Sequence, residues 1–260
     1  MWDNKYLERM GEERFNKQGC SMKIVAYNNT NNIIVEFQDK HRATAHTKYQ
    51  AFIAGEVKNP YCPSVYGVGI VGNKYPLKVN GKETKEYAIW RGIIQRCYHQ
   101  KCKEQHPTYK DATCCDEWLN FENFYEWIHS QDNFDKWLNG ERWAIDKDII
   151  HKGIKIYSPD TCCLVPMNVN SLFIKTSLKG DKYPVGVTRQ KGAFVSVCRN
   201  PFTNQKEYFG RHQSLTQAFE SYKEHKESYI KQVAQEEYNK GNITKRCYDA
   251  MMSYEVEITD

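Results

Sequence analysis

The sequence predicts an α+β fold, and three observations predict it. Stretches rich in β-branched and aromatic residues, bounded by Asn, Gly and Pro, occur at residues 21–48 and again at 183–212. Outside them apolar residues recur at helical spacing, as in Tyr87, Trp90, Ile94 and Tyr98. Between these two kinds of segment, residues 143–173 read as a short strand, a Gly-containing turn, a second strand and a helix start. The expected architecture is a small N-terminal β unit, a helical segment ending in a degenerate β-β-α finger, and a C-terminal three-stranded sheet plus helix. Expected segments are 1–80, 81–178, 179–235 and a helical tail over 236–260.

At 260 residues the chain is long enough to bury a core without disulfide or metal staples. The first ten residues carry charge where a secretory signal needs an apolar run, and no run approaches the roughly 18 apolar residues of a membrane span. A soluble, cytoplasmic protein with no membrane partner is expected. Ten cysteines in a reducing compartment are expected to be thiols, and the adjacent pairs Cys114-Cys115 and Cys162-Cys163 suit two parallel bridges poorly. The net charge is +5, and residues 182–212 carry all of that excess, with six basic residues against Glu207 alone. Such a local patch points to a polyanionic partner.

Taken in order, Lys23–Tyr27 and Ile33–Phe37 form strands around an Asn-rich turn, and Arg42–Tyr49 alternates weakly, giving three strands. The Gly67–Gly72 run lacks a following Gly-Lys-Ser/Thr and a surrounding βαβ unit, so it is not read as a phosphate loop. Thr84 and Asn120 cap two helices whose aromatic stripes are read as core. Between them lie Cys97, His99, Cys102, His106, Cys114 and Cys115. Their spacing departs from the close pairs of a structural zinc site, so zinc is not expected. In the central stretch, strands at Trp143–Ile150 and Thr161–Val165 flank Gly153, and a helix begins near Pro166. Beyond it, strands at Val185–Arg189, Ala193–Arg199 and Lys206–Gly210 are joined by turns at Lys191-Gly192 and Asn200–Asn204. A helix from Ser214 covers them with Ala218, Phe219, Tyr222 and Tyr229, and a short helix spans Thr244–Tyr254.

Ile145-Asp146-Lys147-Asp148, a turn, Thr161 to Pro166, then Asn168-Val169-Asn170 resembles the HNH or His-Me finger nucleases. The resemblance implies a divalent metal, magnesium, held by Asp146 with Asn170 or Asn168 from the helix. Lys147 stands where that family has its general-base His. A lysine titrates near about 10.4 and is protonated at neutral pH, so it cannot deprotonate water there. Asp148, placed by strand alternation on the face of Asp146, and His151 are the remaining base candidates.

Residues 182–230, with Gly-Val-Thr-Arg, Gly-Ala-Phe-Val-Ser-Val and Tyr-Phe-Gly-Arg, look like the DNA-binding domain of plant ethylene-response factors. That resemblance implies a sheet lying in the major groove of duplex DNA, with Arg189, Lys191, Phe194, Arg199, Tyr208 and Arg211 directed at phosphates and bases. The whole resembles phage HNH endonucleases of the homing type. It is expected to bind duplex DNA, with cleavage in doubt because of Lys147. The alternative is a non-catalytic phage protein that uses the same fold to bind and antagonise a host defence protein or to regulate transcription.

Overall fold

The computed structural model describes residues 8–140, 142–174 and 183–258, and Lys182 lies outside them. The chain divides into two compact units, Met1–Glu126 and Trp127–Asp260. The sequence-based segments end instead at 80, 178 and 235.

The first unit opens with an antiparallel sheet of four strands in the order β1-β2-β3-β4: Glu13–Phe15, Ser21–Asn29, Asn32–Phe37 and Thr44–Thr47. Strand β1 is an addition to the expected three. Its residues are all exposed, so it carries no apolar alternation by which to be found. Alternation sets the remaining register, pairing Met22 with Phe37 and Ile24 with Val35, and those four side chains are buried. Helix α1 (Tyr49–Ile53) inserts Phe52 into the same core. A hairpin, β5 (Lys78–Val79) and β6 (Lys82–Glu83), precedes helix α2 (Lys85–Tyr98), followed by α3 (Gln100–Gln105) and strand β7 (Thr113–Cys114).

The Thr84 side chain accepts from the Tyr87 N–H and caps α2, as expected. Likewise the Asn120 side chain accepts from the Glu122 N–H at the start of α4 (Phe121–His129). The aromatic stripes are core: Trp90, Phe121 and Phe124 are fully buried, with the Trp90 and Phe121 rings 5.4 Å apart. In the Gly67–Gly72 run, a Cβ on Gly69 would come within 2.9 Å of the Trp90 ring, so this glycine serves close packing.

The second unit contains α5 (Phe134–Leu138), β8 (Trp143–Asp146), β9 (Ile156–Tyr157), β10 (Cys163–Pro166) and α6 (Met167–Phe173). The antiparallel β8–β10 pair, with Trp143 opposite Pro166 and Asp146 opposite Cys163, and the helix behind it form the expected β-β-α finger. Both strands are shorter or shifted relative to expectation, for a reason given below. A three-stranded sheet follows in the order β11 (Val187–Gln190), β12 (Ala193–Arg199), β13 (Lys206–His212). Helix α7 (Leu215–Asn239), capped by Ser214, covers one of its faces, and α8 (Lys245–Met252), capped by Thr244, closes the unit.

One core unites these parts. Ile149, Cys163, Val165, Val169 and Leu172 of the finger cluster with Cys198, Tyr222, Ile230 and Val233 of the sheet and α7, and with Cys247 and Met251 of α8. Asn133 adds polar stitching, donating to the Leu164 carbonyl at 3.1 Å and the Asn242 carbonyl at 2.8 Å. Finger and C-terminal module therefore fold as one body, because neither buries its apolar face alone.

Candidate nucleic-acid interface

The finger is the first place to look for chemistry. Strand β8 stops at Asp146 because its Oδ1 accepts the backbone N–H groups of Asp148 at 2.7 Å and Ile149 at 2.9 Å, which turns the chain. Asp148 therefore lies in a turn, not on a strand face shared with Asp146. Burial pushes the Asp146 carboxyl above its ordinary value, against the opposing pull of those two N–H groups and Lys147.

Lys147 points inward. Its side chain is 8% exposed, and Nζ donates to both carboxylate oxygens of Asp148 at 2.7 Å, leaving Asp148 at the surface with 44% exposure. The charge is thus desolvated but paired, the arrangement that makes a buried lysine tolerable. His151 is exposed, with Nε2 3.4 Å from a guanidinium nitrogen of Arg246. On α6 the Asn168 amide donates to Glu237 Oε1 of α7 at 3.1 Å, and the Asn170 amide lies 3.8 Å from the Met167 sulfur.

Magnesium needs several oxygens converging at about 2.0–2.1 Å. Here Asp146 Oδ1 accepts two N–H groups, Asp148 is bound to an ammonium, and the Asn168 amide nitrogen donates to Glu237. Of the two carboxylates Asp148 is already neutralised by Lys147, and no step is derived through a metal. Among the described residues no three His, Cys, Asp or Glu side chains gather as they would around a metal, and the ten cysteines form no disulfide. Cys97 and Cys114 are buried, while Cys102 and Cys115 are half-buried.

The second place is the sheet. Cross-strand pairing assigns its two faces. Ser196, Cys198, Val187 and Glu207 face α7, and the Tyr229 hydroxyl of that helix donates to the Glu207 carboxylate. That bond, with another from Asn200, holds the Glu207 carboxyl below its usual range. The opposite face carries Thr188, Val195, Val197, Arg199, Lys206, Tyr208 and Arg211, with Val195 and Val197 buried and Arg199, Lys206, Tyr208 and Arg211 exposed around them. A shift in register on β13, at Gly210 with φ +105°, keeps Tyr208 and Arg211 on this one face although they are three residues apart.

This open face has a defined chemistry. Among its described sheet residues every charge is positive, since Glu207, the segment's acid, is turned to the helix. Arg199 donates to the Asn204 carbonyl and side chain, both at 2.9 Å, and so fixes the β12–β13 turn. Arg211 donates to the Gln190 carbonyl at 2.9 Å, tying β13 to the first hairpin. Tyr208 is 60% exposed, and a shallow hollow of about 300 Å³ is lined by Gly186, Val187, Thr188, Val197, Arg199 and Lys206.

Lys191 sits at the tip of the β11–β12 hairpin. With φ +46° it precedes Gly192 at φ +85°, the signature of a two-residue type I′ turn. Arg189 and Phe194 belong to the other face by register, where the guanidinium lies 5.5 Å from the ring centroid. The six residues expected to contact DNA are therefore divided: Arg199, Tyr208 and Arg211 are together, Lys191 is at the tip, and Arg189 and Phe194 are on the opposite side. Lys206, outside that set of six, stands opposite Arg199 across the β12–β13 turn.

No family model, curated protein or solved structure matches this chain.

Proposed function

We propose that this chain binds duplex DNA through the open face of the β11–β12–β13 sheet. The observation that carries the reading is the segregation of charge: Arg199, Lys206 and Arg211 share a solvent face with Tyr208, while Glu207 is held against α7. Phosphate contacts from Lys206 and Lys191 would supply salt-dependent affinity. The arginines would present their remaining N–H groups to base edges from positions already fixed by the two hairpins, so little ordering entropy is left to lose. In this reading the finger is a support that packs its apolar side into the core beneath α7. Phosphodiester cleavage is not included, because a lysine stands at the general-base position and is bound to Asp148.

Fluorescence anisotropy with a labelled duplex at increasing salt tests this. The unaltered chain should bind with a steep salt dependence. Lys206→Gln should lower the slope of log affinity against log salt by about 0.9, and Tyr208→Ala should weaken binding without changing that slope. Absence of binding at low salt, or insensitivity to both substitutions, would overturn it.

A further inference from the structure

We infer that the β5–β6 hairpin of the first unit, residues Lys78–Glu83, is a second contact for duplex DNA, inserted tip first into the major groove. The inference rests on the reading of DNA as ligand, but on different residues.

Folding alone gives this hairpin no task. All four of its strand residues are exposed, and Val79 is 54% exposed beside the tip. Two-residue strands are too short to stabilise themselves in water. Nevertheless the turn is built for rigidity: Asn80 at φ +51° and Gly81 at φ +77° form a type I′ turn with the residue pair that adopts it at least cost.

The base is also held firmly. The Thr84 N–H donates to the Leu77 carbonyl at 3.0 Å, Tyr75 stacks on Tyr125 at 3.8 Å, and Lys74 pairs with Glu126 at 2.5 Å. A preorganised projection with no packing role points to a partner outside the chain.

Charge and shape identify that partner. Register places Val79 and Lys82 on one face and Lys78 and Glu83 on the other. Glu83 is drawn back to Arg91 of α2 at 3.0 Å, whereas neither Lys78 nor Lys82 has a carboxylate partner among the described residues. The hairpin thus carries Lys82 and Val79 beside its tip on one face and Lys78 nearer its base on the other. A two-stranded ribbon with its side chains is about 10 Å thick, and the major groove of B-DNA is about 12 Å wide and accepts such a ribbon. Entering tip first, the hairpin would meet phosphates on both walls through Lys78 and Lys82. Val79, beside Lys82 on the same face next to the tip, would meet base edges along that wall, where thymine methyl groups offer apolar contact.

The experiment compares the unaltered full chain with Lys78→Gln/Lys82→Gln, Val79→Ser and Lys206→Gln by duplex anisotropy across a salt series. Each melting temperature is recorded, and should hold because the altered side chains are exposed. The double substitution should lower the salt slope by about 1.8, two phosphate contacts at about 0.9 each. Val79→Ser should weaken binding with the slope intact, and amide exchange at residues 78–83 should slow when DNA is added. An unchanged slope in the double variant overturns this inference, and if Lys206→Gln still lowers the slope the sheet reading stands. Loss confined to the hairpin variants overturns the sheet reading and keeps the hairpin. Absence of binding by the unaltered chain overturns both.

Discussion

Asp146 offers the sharpest test, because a turn-forming role and a metal-binding role predict different orders for two substitutions. Its Oδ1 satisfies the N–H groups of Asp148 and Ile149 at 2.7 and 2.9 Å. Asp146→Ala leaves both donors without that acceptor, at about 1–1.5 kcal/mol each, or about 2–3 kcal/mol in all. For a unit of roughly 130 residues, with an unfolding entropy of about 2.1 cal/mol/K per residue, the loss corresponds to about 7–11 °C in melting temperature. Asp146→Asn keeps an oxygen in the same place and removes the charge that burial disfavours, so it should shift the midpoint by less than about 3 °C. Burial raises the folded-state value of this carboxyl above 3.8, so the folded chain binds more protons than the unfolded one just above that pH. The unaltered protein should therefore lose stability relative to Asp146→Asn as pH rises through that window. Differential scanning calorimetry between pH 3 and 7 gives both readouts. An Asn variant that melts as low as the Ala variant would refute the turn role.

Lys191 holds a left-handed conformation at φ +46°, which costs an L-residue other than Asn or Gly about 1–2 kcal/mol. Lys191→Asn should therefore raise the melting temperature by a few degrees while lowering the salt slope of DNA binding by about 0.9, and an unchanged slope would remove Lys191 from the interface. Burial opposes ionisation of Glu237, but bonds from Asn242, Asn168 and Lys240 outweigh it and hold its carboxyl below 4.5. The stability it contributes should be complete above about pH 4.5 and decline as pH falls through the folded-state value. Glu237→Gln should flatten that acid limb in thermal melts, and an identical pH profile would show that the three bonds contribute nothing.

Part of this protein is written in short stretches of its sequence. Thr84, Asn120, Ser214 and Thr244 start helices where a capping side chain followed by apolar periodicity says they should, because capping involves only the next few residues. The Lys191-Gly192 turn and the strands around it were legible for the same local reason. So was the finger's order of strand, turn, strand and helix. The fold class follows from these elements, and the aromatic stripes were correctly assigned to the core.

What the candidate sites can do was decided only in three dimensions. Asp146, Lys147 and Asp148 look like a run of free polar groups; their mutual hydrogen bonds are local, but only the tertiary setting buries the lysine. Asn168 finds Glu237 sixty-nine residues away, and the finger finds its core partners on α7 and α8. Arg189 and Arg199 both come from a basic segment, and the pairing of β11 with β12 sends them to opposite faces. Sequence determined the elements because propensity and capping act over a few residues. Structure determined the chemistry because burial, pairing and strand register depend on residues far apart in the chain.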